Sequence, residues 1–265
     1  MMRIAPPVLA ADIARTAVGC LYAELVLYPK PGLVSLVDNG SHTDMNAATF
    51  MRSLFTLRHY FRAIFDAGCD AAPFAQLRDL GIAAEARMLR ATGGVNTHRG
   101  AIFSLGLLCA AVGHATAQGH ALTPAALRAV LLIRWGDALA FHAGPAGGAR
   151  AEGALGLPSV FEVGLPALQA TLAAGRSMRH ARVDALFALM ARVDDTNVIH
   201  RGGADAAGAV HRGAQAFIDA GGTAQPGWMA QAVALHHALM AQRLSPGGAA
   251  DLLAASCFVH AVCTS

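Results

Sequence analysis

Apolar residues recur at spacings of three and four through most of the chain, and this periodicity limits the fold more than any other sequence feature. Such spacing places apolar side chains on one face of an α-helix, whereas a half-buried strand needs strict alternation, which no segment of useful length shows. The sequence therefore predicts an all-α protein. With 265 residues and no long polar linker, we expect one domain over 1–265, a compact bundle of about nine or ten helices joined by glycine-rich loops.

Helix start and stop signals set approximate bounds for these helices. Thr123 is predicted to cap a helix that has Pro124 in its first turn, and Ser245 to cap the last helix before Pro246. Gly68 is predicted to end the second helix. The predicted helices are Pro7–Leu27, Asp44–Ala67, Pro73–Ala91, Thr97–Gln118, Thr123–Phe141, Val163–Ala174, Ser177–Val193, Gly202–Ala220, Pro226–Arg243 and Pro246–Val262.

The most apolar run, Ala101–Val112, lies in a chain that is 55% hydrophobic and 14% charged. Arg99 and His114 limit the run to about 12 residues, whereas a membrane span needs about 20. We therefore expect a buried central helix and no membrane contact. The N-terminus shows no export signal, and the five cysteines are scattered without a CxxC pair, so we expect a reduced, cytoplasmic protein.

The formal charge of +3 comes from 20 basic and 17 acidic residues, and no basic block is present that would track a nucleic-acid backbone. Small anionic ligands fit this balance better than DNA or RNA. All the basic residues are arginine except Lys30, which lies in a Pro-Lys-Pro-Gly turn. A compact ammonium group suits a phosphate oxygen, although retention by chance explains a single lysine equally well.

Four glycine-rich loops, 28–44, 91–100, 142–156 and 194–203, contain most of the unusual polar residues. Two of them place glycine and polar residues just before a predicted helix, where free N–H groups and the helix dipole attract phosphate. For either loop alone, ordinary turns and caps are the weightier explanation. No GxxxxGK[ST] or GxGxxG motif is present, which argues against a P-loop or Rossmann site. The phosphate-binding candidates in these two loops are Gly93, Gly94, Asn96, Thr97, His98, Arg99 and Asn197.

Polyphosphate binding usually involves a divalent cation that prefers carboxylate oxygens, and the loops contain few acids. Asp44 and Asp195 are metal-site candidates, but helix capping explains them equally well. Glu85 is explained equally well by a surface ion pair. The remaining loop acids are Asp38, Glu152 and Asp194. Among the twelve histidines, His42, His98 and His200 lie in glycine-containing loops, where imidazole can donate to phosphate or move a proton. Seven of the others are predicted to be packing or surface residues: His59, His114, His120, His180, His236, His237 and His260.

Five segments resemble the triphosphoribosyl-dephospho-CoA synthase family in their order along the chain. They are Pro29–Val34, Asn39–Met45, Gly94–Ala101, Gly148–Glu152 and Asp195–Asn197. These motifs are longer than common turn or helix signals and occur together. The resemblance covers the chain from about Glu24 to Gly203.

The resemblance implies an all-helical fold and a transfer in which the 2′-hydroxyl of 3′-dephospho-CoA attacks the anomeric carbon of the ribose of ATP. Adenine leaves, and the triphosphate stays attached. Displacement at this carbon is oxocarbenium-like, so carboxylates are expected near the ring, as in glycoside chemistry. The implied product goes to a transferase that loads an acyl-carrier protein.

On this resemblance, each candidate residue is given a role. Lys30, Arg99, Arg150 and the Gly93–Gly94 backbone are assigned to the triphosphate. The implied cofactor is Mg²⁺, with Asp38, Asp44 and Glu85 as its ligands. His42 is the candidate base, with Asp44 and Asp195 also in the catalytic set, and Asp195 and Asn197 are expected to contact ribose or adenine.

Two stretches, Ser35–Gly40 and Asp195–Gly203, look more like the malonate decarboxylase branch of the family than the citrate lyase branch. Ser35 and Asn46 stand where many relatives have aspartate, which leaves Asp38 and Asp44 as the acids of the first loop. Two rival interpretations remain: a magnesium-dependent N-glycoside hydrolase and a non-catalytic helical nucleotide-binding assembly factor. The apolar surplus also makes a homodimer plausible.

Overall fold

The computed structural model describes residues 9–142 and 148–264, and all regular structure within these ranges is helical. The predicted all-α fold is confirmed. The α-helices are α1 Ala10–Leu25, α2 Ala47–Cys69, α3 Phe74–Thr92, α4 Arg99–Ala117, α5 Pro124–Leu131, α6 Asp137–His142, α7 Ala149–Ala154, α8 Leu165–Ala173, α9 Met178–Met190, α10 Thr196–Asp219, α11 Trp228–Ala241 and α12 Gly247–Cys263. Two π-helical turns, Leu132–Gly136 and Ser159–Gly164, join α5 to α6 and lead into α8, and a 3-10 turn spans Gly222–Ala224.

Helix α4 lies at the centre of the bundle and packs against α2, α3, α5 and α12. By length and composition it could cross a membrane, but 72% of its apolar window is buried inside the fold. The expected buried central helix is therefore confirmed. Its apolar residues belong to one hydrophobic cluster that also draws on most of the other helices.

Glycines bring the backbones of α2 and α4 into close contact. A Cβ atom added at Gly68 would lie 2.1 Å from the carbonyl oxygen of Ala110, and one added at Gly113 would lie 2.1 Å from that of Phe65. Gly68 was predicted to end this helix, but α2 continues to Cys69 and Gly68 has a packing role instead. Gly68 lies inside α2, and its missing side chain permits the helix crossing.

Replacing Gly113 with alanine should lower the free energy of unfolding by about 1–3 kcal/mol, because the added methyl group pushes two packed helices apart. The measurement is urea unfolding followed by circular dichroism. Gly19 in α1 is a matched control, since a Cβ added there meets no atom within 4 Å. Gly19→Ala should leave stability unchanged or raise it; equal effects in both variants would contradict the packing explanation.

Several helix ends follow local capping chemistry. The Thr123 side chain accepts from the amide of Ala126, with Pro124 in the first turn, as predicted. Asn46 forms a capping box with Thr49 and caps the start of α2. These side chains satisfy amides that a helix start leaves without partners.

Three helix predictions need correction. Helix α7 lies in the segment predicted as the loop 142–156, of which 143–147 lie outside the described residues. Helix α10 begins at Thr196, before the predicted start at Gly202. It is kinked at Gly203, whose φ of 71° and ψ of −168° are not helical, and the segment after this kink corresponds to the predicted helix. Ser245 does not cap α12, because its hydroxyl contacts His42 instead.

Candidate active site

One cleft of about 1040 Å³ is formed by parts of α1–α4, α7, α10 and α12 and by the loops between them. This volume is at the upper limit of the roughly 300–1,000 Å³ typical of small-molecule sites. Most of the residues predicted for the site line this cleft. They are Lys30, His42, Asp44, Glu85, Asn96, Thr97, His98, Arg99, Arg150, Asp195 and Asn197.

Lys30 lies in the floor of the cleft and is 1% exposed. Its ammonium group is 2.5 Å from the carboxylate of Glu24, which is itself 6% exposed. Burial lowers the pKa of Lys30, while the Glu24 carboxylate opposes that shift. Glu24 was missed as a site residue, although an acid on the buried face of α1 beside Leu21 and Leu25 was a visible signal.

His236 of α11 holds the loop that contains Lys30. Its Nε2 is 3.0 Å from the carboxylate of Asp38, and because a carboxylate only accepts, this nitrogen carries the hydrogen. Nδ1 lies 3.1 Å from the amide nitrogen of Gly32 and 2.9 Å from the carbonyl oxygen of Lys30. The other Asp38 oxygen accepts from the amide of Gly40 at 2.8 Å. His236, predicted as an ordinary helical residue, is thus a fully buried anchor for this loop.

The predicted metal role of Asp38 does not fit this arrangement. Asp38 does not line the cleft, and its carboxylate is already bonded to His236 and Gly40. The acid therefore stabilises the loop conformation from outside the cleft. No sequence signal distinguished these two roles, because the partner histidine lies about 200 residues away along the chain.

The structure places the predicted phosphate cradle, Gly93 and Gly94, outside the lining of the cleft. Neither glycine lines the cleft, and their φ angles of 70° and 90° show that they reverse the chain after α3. Glycine adopts such angles without the steric cost that other residues incur. The cleft is instead lined by the residues after the turn, where the Asn96 side chain accepts from the amide of Arg99, the first residue of α4, at 3.1 Å.

Glu85 pairs with Arg99 at the edge of the cleft. The Arg99 Nε is 2.6 Å from a carboxylate oxygen of Glu85, and the side chains are 59% and 29% exposed. The acid is therefore bound to a guanidinium group. Glu85 thus forms an ion pair, which was the alternative to metal binding, and its partner Arg99 belongs to another helix.

A chain of hydroxyl groups leads to His98. Thr97 Oγ1 lies 2.7 Å from Ser53 Oγ, and Ser53 Oγ lies 2.6 Å from His98 Nδ1. The imidazole is 2% exposed, and its ring lies edge-on to Phe50 with 5.0 Å between centroids. Burial lowers the pKa of His98 to about 3, and the nearby Lys30 ammonium acts in the same direction. His98 is therefore neutral.

His42 connects the first loop with the start of α12. Its Nδ1 is 3.3 Å from a carboxylate oxygen of Asp44, and its Nε2 is 2.8 Å from the Ser245 hydroxyl. Burial lowers the pKa of His42, and the positive charge of Arg201 lowers it further. A neutral imidazole with an oriented acceptor nitrogen is suited to take a proton.

Asp195 joins two helix N-termini in the wall of the cleft. One carboxylate oxygen accepts from the amide of Asn197 at 2.9 Å, and the other accepts from the amide of Gly248 at 2.6 Å. Burial raises the pKa of Asp195, while these backbone bonds oppose the shift. Asp195 therefore does cap helices, as one of its two interpretations predicted. It also lines the cleft.

Asp251 of α12 is a cleft residue that sequence reasoning missed. It accepts from the amide of Ala101, and burial raises the pKa of its carboxyl group well above the ordinary value. The carboxylates of Glu24 and Asp195 add to this shift. A sequence signal existed, because Asp251 is the one acid in the otherwise apolar helix α12.

Charge is unevenly distributed between the outer and inner parts of the cleft. All the arginines of its lining are exposed, whereas Glu24 and Asp195 are buried. The exposed arginines are Arg78, Arg99, Arg150, Arg192 and Arg201. The rim therefore suits a highly charged anion, and the inner end suits a group that develops positive charge.

The predicted ligand set for Mg²⁺, Asp38, Asp44 and Glu85, does not fit. Asp38 lies outside the cleft and Glu85 is paired with Arg99. Within the described residues, no three His, Cys, Asp or Glu side chains are grouped so that they could hold a metal ion. Only Asp44 among the three is an exposed cleft carboxylate.

Comparison with known proteins identifies the family of this fold and cleft. The family described as ATP:dephospho-CoA triphosphoribosyl transferase matches residues 10–142 and 132–264. A 2-(5''-triphosphoribosyl)-3'-dephosphocoenzyme-A synthase from Pectobacterium atrosepticum is 41% identical over 92% of this chain and 86% of the relative. The synthase of that name from Klebsiella pneumoniae is 39% identical over 94% of each chain. No solved structure matches the chain significantly. The chain therefore belongs to the ATP:dephospho-CoA triphosphoribosyl transferase family and is a transferase.

Proposed function

We propose that this enzyme transfers the 5-triphosphoribosyl group of ATP to the 2′-hydroxyl of 3′-dephospho-CoA and releases adenine. The observation that carries the proposal is the division of charge in the cleft, with exposed arginines at the rim and buried carboxylates inside. ATP binds with its triphosphate against Arg99 and Arg150 and its nucleoside directed inward. Lys30 faces the same cleft but neutralises Glu24, so the rim arginines bind most of the phosphate charge.

The side chains in the cleft supply the groups that the transfer needs. The acceptor oxygen attacks C1′ of the ribose while the bond from C1′ to adenine breaks with its electron pair on the base. His42 takes the proton of the acceptor hydroxyl, and protonated Asp251 gives one to adenine, so protons balance. The Asp195 carboxylate stabilises positive charge at the ring.

Magnesium enters this proposal as part of the nucleotide substrate. Mg²⁺ bound to a triphosphate keeps several waters and takes one or two carboxylates at most. Asp44 has the exposure and position for such a contact. The protein's own residues bind, orient and exchange protons with the substrates.

The experiment that tests the function is mass spectrometry of the products formed from ATP, magnesium and 3′-dephospho-CoA. We expect triphosphoribosyl-dephospho-CoA and one adenine per product molecule. Adenine formed without the acceptor would instead indicate an N-glycoside hydrolase. Binding of ATP without any turnover would indicate an assembly factor.

Replacing Arg99 with glutamine should raise the KM for ATP by about 10- to 100-fold with little change in kcat. The reason is that a hydrogen bond to a charged group contributes about 1.5–3 kcal/mol, and the triphosphate keeps its charge throughout the reaction. Steady-state kinetics measure the effect. Arg212→Gln is the control, because Arg212 is exposed on α10 outside the cleft. An unchanged KM in Arg99→Gln would contradict the rim assignment.

We further propose that the product serves the acyl-carrier protein of malonate decarboxylase, with citrate lyase as the alternative, through a separate transferase in the cytoplasm. The resemblance at 35–40 and 195–203 supports the first branch. Incubation of the product with the apo-carrier of each system and its transferase distinguishes the two pathways.

A homodimer is proposed because the apolar side chains of Leu132, Ile133 and Leu155 are exposed. Light scattering, which measures the mass in solution, tests this proposal.

A further inference from the structure

His98 has one ring nitrogen with a partner and one without. Nδ1 is bonded to Ser53, whereas Nε2 is buried and has no hydrogen-bond partner among the described residues. The imidazole lines the cleft. Because a buried polar nitrogen without a partner costs free energy, a ligand atom in the cleft is the expected partner of Nε2.

The hydroxyl groups beside His98 decide which nitrogen carries the hydrogen. Thr97 Oγ1 donates to Ser53 Oγ. With Thr97 as the donor to Ser53, the Ser53 hydroxyl directs its own hydrogen to Nδ1. Nδ1 is therefore the acceptor, and Nε2 carries the hydrogen of the neutral imidazole.

The surroundings of His98 indicate which part of ATP meets this N–H group. The rim arginines are exposed and attract the triphosphate, whereas His98 is 2% exposed at the inner end. Apolar side chains that suit a flat base, Leu33, Phe50 and Ile102, line the same cleft, and Phe50 contacts the His98 ring. A neutral donor in apolar surroundings suits a neutral acceptor such as a purine nitrogen.

We propose that the Nε2–H of His98 donates a hydrogen bond to a ring nitrogen of the adenine of bound ATP, N3 or N7, and that Ser53 and Thr97 are positioning residues which select this tautomer. The inference rests on the proposed function and gives it a base-recognition residue. The bond strengthens as adenine receives the electron pair of the breaking bond to C1′, so it assists departure of the base.

The test is a cycle that combines His98→Leu with ATP analogues in which one ring nitrogen is replaced by carbon, 3-deaza-ATP and 7-deaza-ATP. With ATP, we expect His98→Leu to lower kcat/KM by about 10- to 100-fold. One of the two analogues should show a similar loss with the unmodified enzyme. That analogue combined with His98→Leu should show little further loss, because the same bond is removed twice. His98→Gln, which keeps an N–H donor, should recover part of the activity.

Ser53→Ala tests the positioning role separately. We expect a smaller loss of activity, and ¹⁵N NMR should show the Nε2–H tautomer in the unmodified enzyme and a mixture in the variant. Ser256→Ala is the matched control, since Ser256 is a buried helical serine bonded to the Leu252 carbonyl and does not line the cleft. An unchanged tautomer in Ser53→Ala would overturn the positioning role.

If the loss of kcat/KM caused by His98→Leu adds to the loss caused by each of the two deaza analogues, the contact with adenine is overturned. If His98→Leu causes no further loss with 3′-deoxy-ATP, the contact with adenine is also overturned, because His98 would then bond to the 3′-hydroxyl of the sugar. The same cycle can be measured as binding affinities for ATP and its analogues by calorimetry, which needs no turnover. Failure of the unmodified enzyme to release adenine would therefore reject the proposed function, while the binding cycle would still decide on His98.

Discussion

Replacing Lys30 with methionine should lower the free energy of unfolding by about 3–5 kcal/mol. The substitution leaves the Glu24 carboxylate buried without its partner at 2.5 Å, and an unpaired buried charge is among the costliest single changes in a protein. Urea unfolding at neutral pH measures the effect. Loss of activity in this variant would then report misfolding as well as any contact with substrate.

The double variant Glu24→Leu/Lys30→Met separates these contributions. Because it removes both charges, we expect it to regain most of the lost stability. It should still be inactive if the pair takes part in binding or catalysis. A double variant as unstable as Lys30→Met alone would show that the pair is not coupled as the structure indicates.

Replacing Asp251 with asparagine should lower kcat by about a hundredfold to ten-thousandfold without loss of stability. The protonated carboxyl is the proposed acid for adenine, and general acid catalysis contributes rate factors of this size. Asparagine keeps an oxygen that accepts from Ala101 but cannot donate a proton in this way. Adenine release measured together with thermal unfolding tests both parts. Asp205→Asn, in an exposed position outside the cleft, should change neither.

The raised pKa of Asp251 also sets the pH dependence. The acid form persists above the ordinary aspartate range, so kcat should fall as pH rises through the raised pKa, and the variant should lack this basic limb. The stability that Asp251 contributes is fully present below its unfolded pKa of about 3.9 and is lost as pH rises through the folded pKa. Asp251→Asn should therefore resemble the unmodified protein at acid pH and exceed its stability at neutral pH. Retention of more than about a tenth of kcat would contradict the acid role.

Periodicity was enough to predict the all-α fold and the buried central helix, because both depend on local patterns of apolar residues. Thr123 and Pro124 likewise act through neighbours in sequence. The error at Gly68 has a different origin, since its function depends on contact with the Ala110 backbone of another helix. Local rules cannot distinguish a glycine that ends a helix from one that permits a crossing.

The sequence predicted which loops lie together better than it predicted what each side chain contacts. The loops around Lys30, His98 and Asp195 do share one cleft, yet Asp38 was misassigned because its partner His236 comes from a distant helix. Glu24 and Asp251 were missed because they interact through the fold, and the spacing of these two acids along the chain does not reveal that interaction.

The C-terminal segment completes surfaces that begin near the N-terminus. His236 holds the Lys30 loop, the Ser245 hydroxyl meets His42, and the amide of Gly248 binds Asp195. During synthesis from the N-terminus, residues through Gly248 must therefore leave the ribosome before substrates can bind productively. We expect nascent chains halted before Gly247 to be helical but inactive.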